Sequence, residues 1–290
     1  MKTPLFTGAC TALVTPFLDG NVNYPMLERL LQRQMDAGIR NFVICGTTGE
    51  APTLSRDEKL SLFRRAKDFV GKDGKIIAGT GCNCTDQAVS LSIKAEETGA
   101  DGLLVVSPYY NKGTEEGLYL HFKAIAESVY IPVILYNVPS RTGLDMPISV
   151  YRRLVEIPNI LGVKEATQDI RKILQIRREC PADFTVWSGN DDMVVPMMAL
   201  GAKGVISVVS NVAPVETQAM TQSALAGDFD TAAALQISLY PLIRLLFSEV
   251  SPVPVKAAMK LLGFDCGECR LPLGSMTGEN YRKLADYLKN

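Results

Sequence analysis

The sequence has a single histidine and a single tryptophan in 290 residues, and aromatic side chains make up only 7% of it. One histidine excludes any site that needs two imidazoles. His121 lies in GTEEGLYLHFKAIAESV, which reads as the interior of an amphipathic helix and suits a surface or structural role. Ser–His and Cys–His nucleophiles are therefore disfavoured, and proton transfer falls to Tyr, Glu, Asp or Lys. An excess of one charge is also missing. Lys and Arg number 30 against 31 Asp and Glu, a net charge of -1, which leaves nothing to neutralise nucleic-acid phosphates or hold an anionic membrane surface. Long apolar runs are lacking too. The best, Met193 to Val215, is broken by Pro196, Lys203 and several glycines, whereas a spanning helix needs ~20 uninterrupted apolar residues. The N-terminal MKTPLFTGACTALVTPF is interrupted by Pro4, Gly8, Thr11 and Thr15, so it reads as a first strand rather than a signal peptide, and a cytoplasmic protein is expected.

Cysteine is present but poorly arranged for staples or metal. Seven is an odd number, Cys82 and Cys84 are two apart, Cys266 and Cys269 form one C-x-x-C, and His121 is far from both pairs. A structural zinc site wants four such ligands, so free thiols and no metal are expected. What is there in plenty is globular core: 47% hydrophobic and 21% charged residues, over a length that suits one large domain.

Short β-branched runs alternate with amphipathic stretches of helical length. The runs are Gly8–Val14, Asn41–Cys45, Lys75–Gly79, Gly102–Val106, Val133–Tyr136, Ile160–Lys164, Phe184–Trp187 and Gly204–Val208. Between them lie segments such as Tyr24–Ala37, Ser55–Val70, Asp86–Thr98 and Thr114–Val129, with apolar residues at i, i+3 and i+4. Eight β-α repeats predict an α/β fold, a (β/α)8 TIM barrel, and no G-x-G-x-x-G follows the first strand to support a dinucleotide fold. From about Ala213 the strand signal stops and helical segments follow, including Phe229–Phe247, Pro252–Leu262 and Gly278–Leu288. We expect a catalytic barrel over 1–224 and a C-terminal helical extension over 225–290 packed on it.

Active residues of such barrels come from the C-terminal ends of the strands. Lys164 is informative there, because it ends the apolar run Ile160-Leu161-Gly162-Val163, where an ammonium facing inward is costly. At its ordinary pKa only about one lysine in 2,500 is neutral at pH 7. Desolvation can expose a nucleophilic amine suited to a Schiff base with a carbonyl substrate. An ion pair with Glu165 or another carboxylate is the alternative, and position alone leaves both open. Lys75 and Lys203 sit at the other strand ends, where snorkelling accounts for them. The Gly-flanked Thr47 and Thr48 can hold an anion or simply make a turn. Tyr110 and Tyr136 can relay protons or fill core, and Arg141 can clamp a carboxylate or sit exposed.

Taken together, GTTGE, SPYYNKGTEEG, YNVPSRTG, GVKEAT, SGND and GVISVVSN resemble, in order and spacing, the pyruvate-dependent class I aldolases, and within them the dihydrodipicolinate synthase family. The resemblance covers essentially the whole chain. Gly113 is a small departure, standing where the family commonly has Pro. The resemblance implies condensation of pyruvate with L-aspartate 4-semialdehyde in diaminopimelate and lysine biosynthesis, with no metal or organic cofactor. It implies that Lys164 forms the imine, and that Tyr136, Thr47 and Tyr110 form a proton relay. Thr48 and the backbone at Ile206 would bind the pyruvate carboxylate, Arg141 would receive the semialdehyde carboxylate, and Gly189 would line the substrate site. Sugar lyases of the same superfamily share the Lys and Tyr but usually lack that Arg. The resemblance further implies that Tyr110 reaches a neighbouring subunit's site within a homotetramer of two tight dimers. Lysine-sensitive members bind L-lysine beside the Tyr pair through a Ser, two His, an Asn, a Glu and a Tyr. Only Asn83 and Tyr109 match; Ala51, Arg56, Lys59 and Gln87 replace the rest. Insensitivity to lysine is therefore expected.

Overall fold

A computed structural model describes residues 2–289. Eight parallel strands close into a barrel in sequence order: β1 Gly8–Ala12, β2 Asn41–Ile44, β3 Lys75–Gly79, β4 Gly102–Val106, β5 Val133–Asn137, β6 Ile160–Glu165, β7 Thr185–Ser188 and β8 Gly204–Ser207. Each coincides with an expected run to within two residues at either end. β8 returns to β1 through the register Gly8 with Gly204 to Thr11 with Ser207, and β1 meets β2 at Thr11 with Phe42. Strands buried on both faces tolerate polar residues only where a partner or a cavity exists, which is why the runs are almost unbroken in apolar residues. A two-stranded hairpin, Phe17–Leu18 with Asn21–Val22, has no counterpart among the expected elements.

The helices that follow the strands in turn are α1 Tyr24–Asp36, α2 Arg56–Val70, α3 Thr85–Glu97, α4 Glu115–Glu127, α5 Ile148–Leu154, α6 Ile170–Glu179, α7 Val194–Ala199 and α8 Pro214–Leu225. Their starts are written locally. Ser55 and Glu58 form a capping box, with the Ser55 hydroxyl accepting from the Glu58 N–H at 3.2 Å and the Glu58 carboxylate from the Ser55 N–H at 2.8 Å. Three further helices, α9 Phe229–Leu246, α10 Val253–Leu261 and α11 Gly278–Lys289, follow α8, and α9 packs along it.

Alternation in the strands sorts the core in two. One cluster fills the space between barrel and helices. A smaller one, including Cys10, Val43, Ile134, Trp187 and Ile206, fills the barrel itself. The N-terminal end of the barrel is plugged. Phe6 stacks on Trp187 with ring centroids 4.9 Å apart, and the indole N–H donates to the Phe6 carbonyl at 3.2 Å. Nearby, Lys2 Nζ donates to the carbonyls of Val155, Ile157 and Ile160 at 2.6, 2.9 and 2.9 Å. The opposite end is open. Among the described residues no helix is long and apolar enough to cross a membrane.

Candidate active site

β5 and β6 put their functional side chains side by side, because Tyr136 and Lys164 are register partners and both face the barrel interior. Gly162 permits the close approach of β6 to β7, since a Cβ there would lie 2.0 Å from the Thr185 carbonyl oxygen. Lys164 is 5% exposed, and its Nζ lies 4.4 Å from the centroid of the Tyr136 ring. Among the described residues it makes no ion pair or hydrogen bond. The alternative of an ion pair with Glu165 fails for a geometric reason, which is that adjacent strand residues point to opposite faces. Glu165 faces outward, where it accepts from Asn137 Nδ2 at 2.9 and 3.1 Å, from the Tyr151 hydroxyl at 3.0 Å and from the Thr167 N–H at 3.0 Å. Burial pushes the Glu165 carboxyl up to about 7, against the pull of the Asn137 and Tyr151 hydrogen bonds.

Lys164 opens onto a cavity of about 710 Å³ that also meets Thr47, Thr48, Tyr136, Arg141 and Gly189. A second, of about 270 Å³, adjoins it and shares Thr47, Tyr136, Val138 and Arg141. The hydroxyls of Thr47, Thr48 and Tyr136 make no hydrogen bond to another described residue, and neither does the Arg141 guanidinium. Polar groups that converge on one cavity without a protein partner mark a place suited to a polar guest. Arg141 is exposed on a one-turn helix, Pro139–Thr142, held by the Thr142 hydroxyl donating to Val138 and Leu144 carbonyls at 3.1 and 2.9 Å. Gly189 is required by space, for a Cβ would lie 2.7 Å from that of Ala166.

Two of the expected residues stand apart. Ile206 is buried inside the barrel and does not line the cavity, whose wall after β8 is formed by Val208. Tyr110 is 91% exposed, lies outside both cavities, and has a left-handed backbone at φ 71°. His121 is structural: its Nδ1 lies 3.0 Å from the Thr85 hydroxyl, and burial pulls its pKa down to about 4.

Other features were not read from the sequence. Asp191 is buried beside the cavity, with its carboxylate accepting from the N–H groups of Val208 and Val209 at 2.9 and 3.0 Å, and burial raises its carboxyl. Ile243, Arg244, Phe247 and Ser251, from the end of α9 and the following loop, complete the wall. Amphipathic spacing in that helix signals only packing, and nothing local marks Arg244. The residues expected to govern lysine binding are also gathered. Arg56, Lys59 and Gln87 share a cavity of about 410 Å³ that meets the smaller active-site cavity at Lys59, Gly81 and Cys82.

The family model described as "Dihydrodipicolinate synthetase family" matches residues 5–290. A relative from Acetivibrio thermocellus, named 4-hydroxy-tetrahydrodipicolinate synthase, is 50% identical over 290 residues, covering 100% of this chain and 99% of its own. The crystal structure of dihydrodipicolinate synthase from Aquifex aeolicus superposes with a TM-score of 0.96 at 45% identity, covering 98% of this chain and 97% of that one. A structure from Cyanidioschyzon merolae described as having lysine bound gives a TM-score of 0.95 at 37% identity, over 99% and 98% of the two chains.

Proposed function

The chain belongs to the dihydrodipicolinate synthetase family, and from this we infer that its cavity condenses pyruvate with L-aspartate 4-semialdehyde to give 4-hydroxy-tetrahydrodipicolinate, in diaminopimelate and lysine biosynthesis. The observation that carries the reading is Lys164, a buried amine at a strand end with no hydrogen bond or ion pair to another described residue and an open cavity before it.

In this reading the Lys164 amine adds to the pyruvate ketone and water leaves, giving an imine. Loss of a methyl proton turns the imine into an enamine, whose carbon attacks the semialdehyde carbonyl and leaves a hydroxyl after protonation. The substrate's own amine then adds to the imine carbon and expels Lys164 as the ring closes. No metal or organic cofactor takes part, since the lysine nitrogen accepts the electron pair.

Tyr136, register partner of Lys164, is positioned to give and take the protons of these steps, with Thr47 as its neighbour in the relay. Thr48 and the backbone at Ile206 bind the pyruvate carboxylate, Arg141 receives the semialdehyde carboxylate, and Gly189 lines the substrate site. Arg141, free of any protein carboxylate and lining the cavity, favours a small acidic aldehyde over the polyol of a sugar lyase.

The strained backbone and exposed ring of Tyr110 support its insertion into a neighbouring subunit, and so a homotetramer built from tight dimers. We place the protein in the cytoplasm, in keeping with the biosynthetic naming of its relatives, and divide it into a catalytic barrel at 1–224 and an extension at 225–290. Borohydride reduction with labelled pyruvate tests the imine, expected in the wild type and absent in Lys164→Ala. Parallel assays with aspartate semialdehyde and N-acetylneuraminate test the substrate, and turnover of the sugar alone would reverse the assignment.

A further inference from the structure

Glu50 ends the turn that carries Thr47 and Thr48, yet the chemistry above makes no use of it. Its carboxylate is completely buried, and both oxygens are engaged by the distant C-terminal extension. Oε1 accepts from Lys256 Nζ at 2.9 Å, and Oε2 accepts from the Arg270 backbone N–H at 2.8 Å. Lys256 Nζ, itself buried, also donates to the Glu268 carbonyl at 3.2 Å and lies 4.4 Å from the centroid of the Phe17 ring. The Arg270 guanidinium reaches back to the same region. It donates to the Glu58 carboxylate at 2.9 and 2.6 Å and to the carbonyls of Thr53 and Gly20 at 3.0 and 2.7 Å. A carboxylate taken out of water needs a paired charge and filled lone pairs, and here the extension supplies both.

The turn itself needs holding. Cys45 and Glu50, which bracket it, both have left-handed backbones at φ 56°, a conformation disfavoured for any residue with a Cβ. The Glu50 N–H donates to the Thr47 carbonyl at 3.1 Å, and the Gly49 carbonyl accepts from the Thr15 hydroxyl at 2.7 Å. A rotation at Glu50 is thus transmitted directly to Thr47. Since the two threonine hydroxyls have no protein hydrogen bond to fix them, the backbone alone decides where they point.

The structure assigns Lys256 and Arg270 a positioning role in catalysis: gripping Glu50, they hold Thr47 and Thr48 in place at the mouth of the barrel. The extension is then part of the working site through contacts made 206 and 220 residues along the chain. The assignment rests on the reading of Thr47 and Thr48 given above.

Lys256→Met deletes the ammonium at similar length, and the double variant Glu50→Gln with Lys256→Met leaves no lone buried charge to prevent folding. Both are measured in the full-length protein. Expected are a turnover 10- to 100-fold lower, a higher KM for pyruvate, and an undiminished borohydride adduct at saturating pyruvate. Amide exchange should be faster across residues 45–54 and unchanged across 160–166. Arg270→Ala keeps the backbone N–H on Glu50 and removes only the guanidinium's hold on Glu58, Thr53 and Gly20, so it should shift the same readouts in the same direction and by less. Unaltered exchange across 45–54 in the double variant, or kcat and KM both within twofold of wild type, overturns the role. Thr47→Val and Thr48→Val keep the two failures apart. Near-wild-type kinetics in both would fault the reading of the threonines, whereas impaired threonine variants beside an unimpaired double variant would fault the grip.

Discussion

Lysine stands at both ends of this barrel, and the two ends use it in opposite ways. At the N-terminal end Lys2 spends its ammonium on three backbone carbonyls, and Lys75 donates to the carbonyl of Leu5. At the C-terminal end Lys164 is buried as deeply as a core residue and has no protein acceptor. An ammonium carries three donors and no acceptor. When the donors are taken by carbonyls the group is fixed in place, and replacing it breaks those bonds. When none is taken, the nitrogen can become an imine without breaking a protein hydrogen bond. In the proposed reaction, reactivity is a matter of what the surroundings withhold.

Lys164→Ala should lower turnover on the order of 10⁴-fold or more, abolish the pyruvate adduct and leave the thermal midpoint no lower than wild type. A drop in stability comparable to that of a core truncation would mean that the amine is structural. Tyr136→Phe retains the ring beside Lys164 and deletes the hydroxyl, so turnover should fall by about 10²–10⁴, with packing intact. A loss below tenfold would return Tyr136 to the core.

Neighbouring strand positions offer the next test. Glu165 sits one residue from Lys164 but faces outward, and its carboxyl is raised from the ordinary 4.5 to about 7 by burial. The native state therefore holds a proton that the unfolded chain has already released. The stabilisation is fully present below about pH 4.5 and is lost as pH rises through about 7, on the order of 3 kcal/mol in all. Glu165→Gln should remove that decline when stability is measured by denaturant titration at several pH values. His121, pulled down to about 4, works in the other direction, with stability lost as pH falls from about 6.5. An unchanged pH profile in Glu165→Gln would refute the assignment.

At the quiet end, Lys2→Met should cost about 1–3 kcal/mol of stability, because it strips three carbonyls of their donor, while kcat stays unchanged. A fall in kcat would erase the division of labour between the two ends. The smallest expected effect concerns L-lysine. Arg56 and Lys59 line its expected cavity and Gln87 stands in place of a carboxylate, so the two ammonium groups of lysine meet like charge there, with Asp86 the one carboxylate in the lining. Initial rates at fixed pyruvate should be unaffected by lysine up to about 1 mM, a binding free energy near −4 kcal/mol.

The repeat pattern made the barrel legible, because a strand buried on both faces can hardly be written except as an apolar run. The eight runs matched eight strands to within two residues at either end. The candidate site was legible for a related reason. Lys164, Tyr136, Thr47, Thr48 and Arg141 each follow or end a strand, and chain order alone put them at one mouth. Glu50 and Lys256 were not legible. Neither has a local partner, and 206 residues separate them. Arg244 was missed likewise, since helical periodicity says which face is apolar and not which barrel that face will cap.

By itself, then, the sequence determined the order of elements, the polarity of each strand face, and the set of reactive groups at the C-terminal ends. Those are local properties, fixed by periods of two and 3.6 residues along one chain. Closure of the sheet decided the rest. Only the pairing of β5 with β6 sets Tyr136 beside Lys164, and only when β8 meets β1 does the row of strand ends become a ring. Only the folded extension brings Lys256 to Glu50. Whether a buried charge is quiet or reactive depends on which acceptors lie within about 3 Å, and that distance is a property of the assembled barrel.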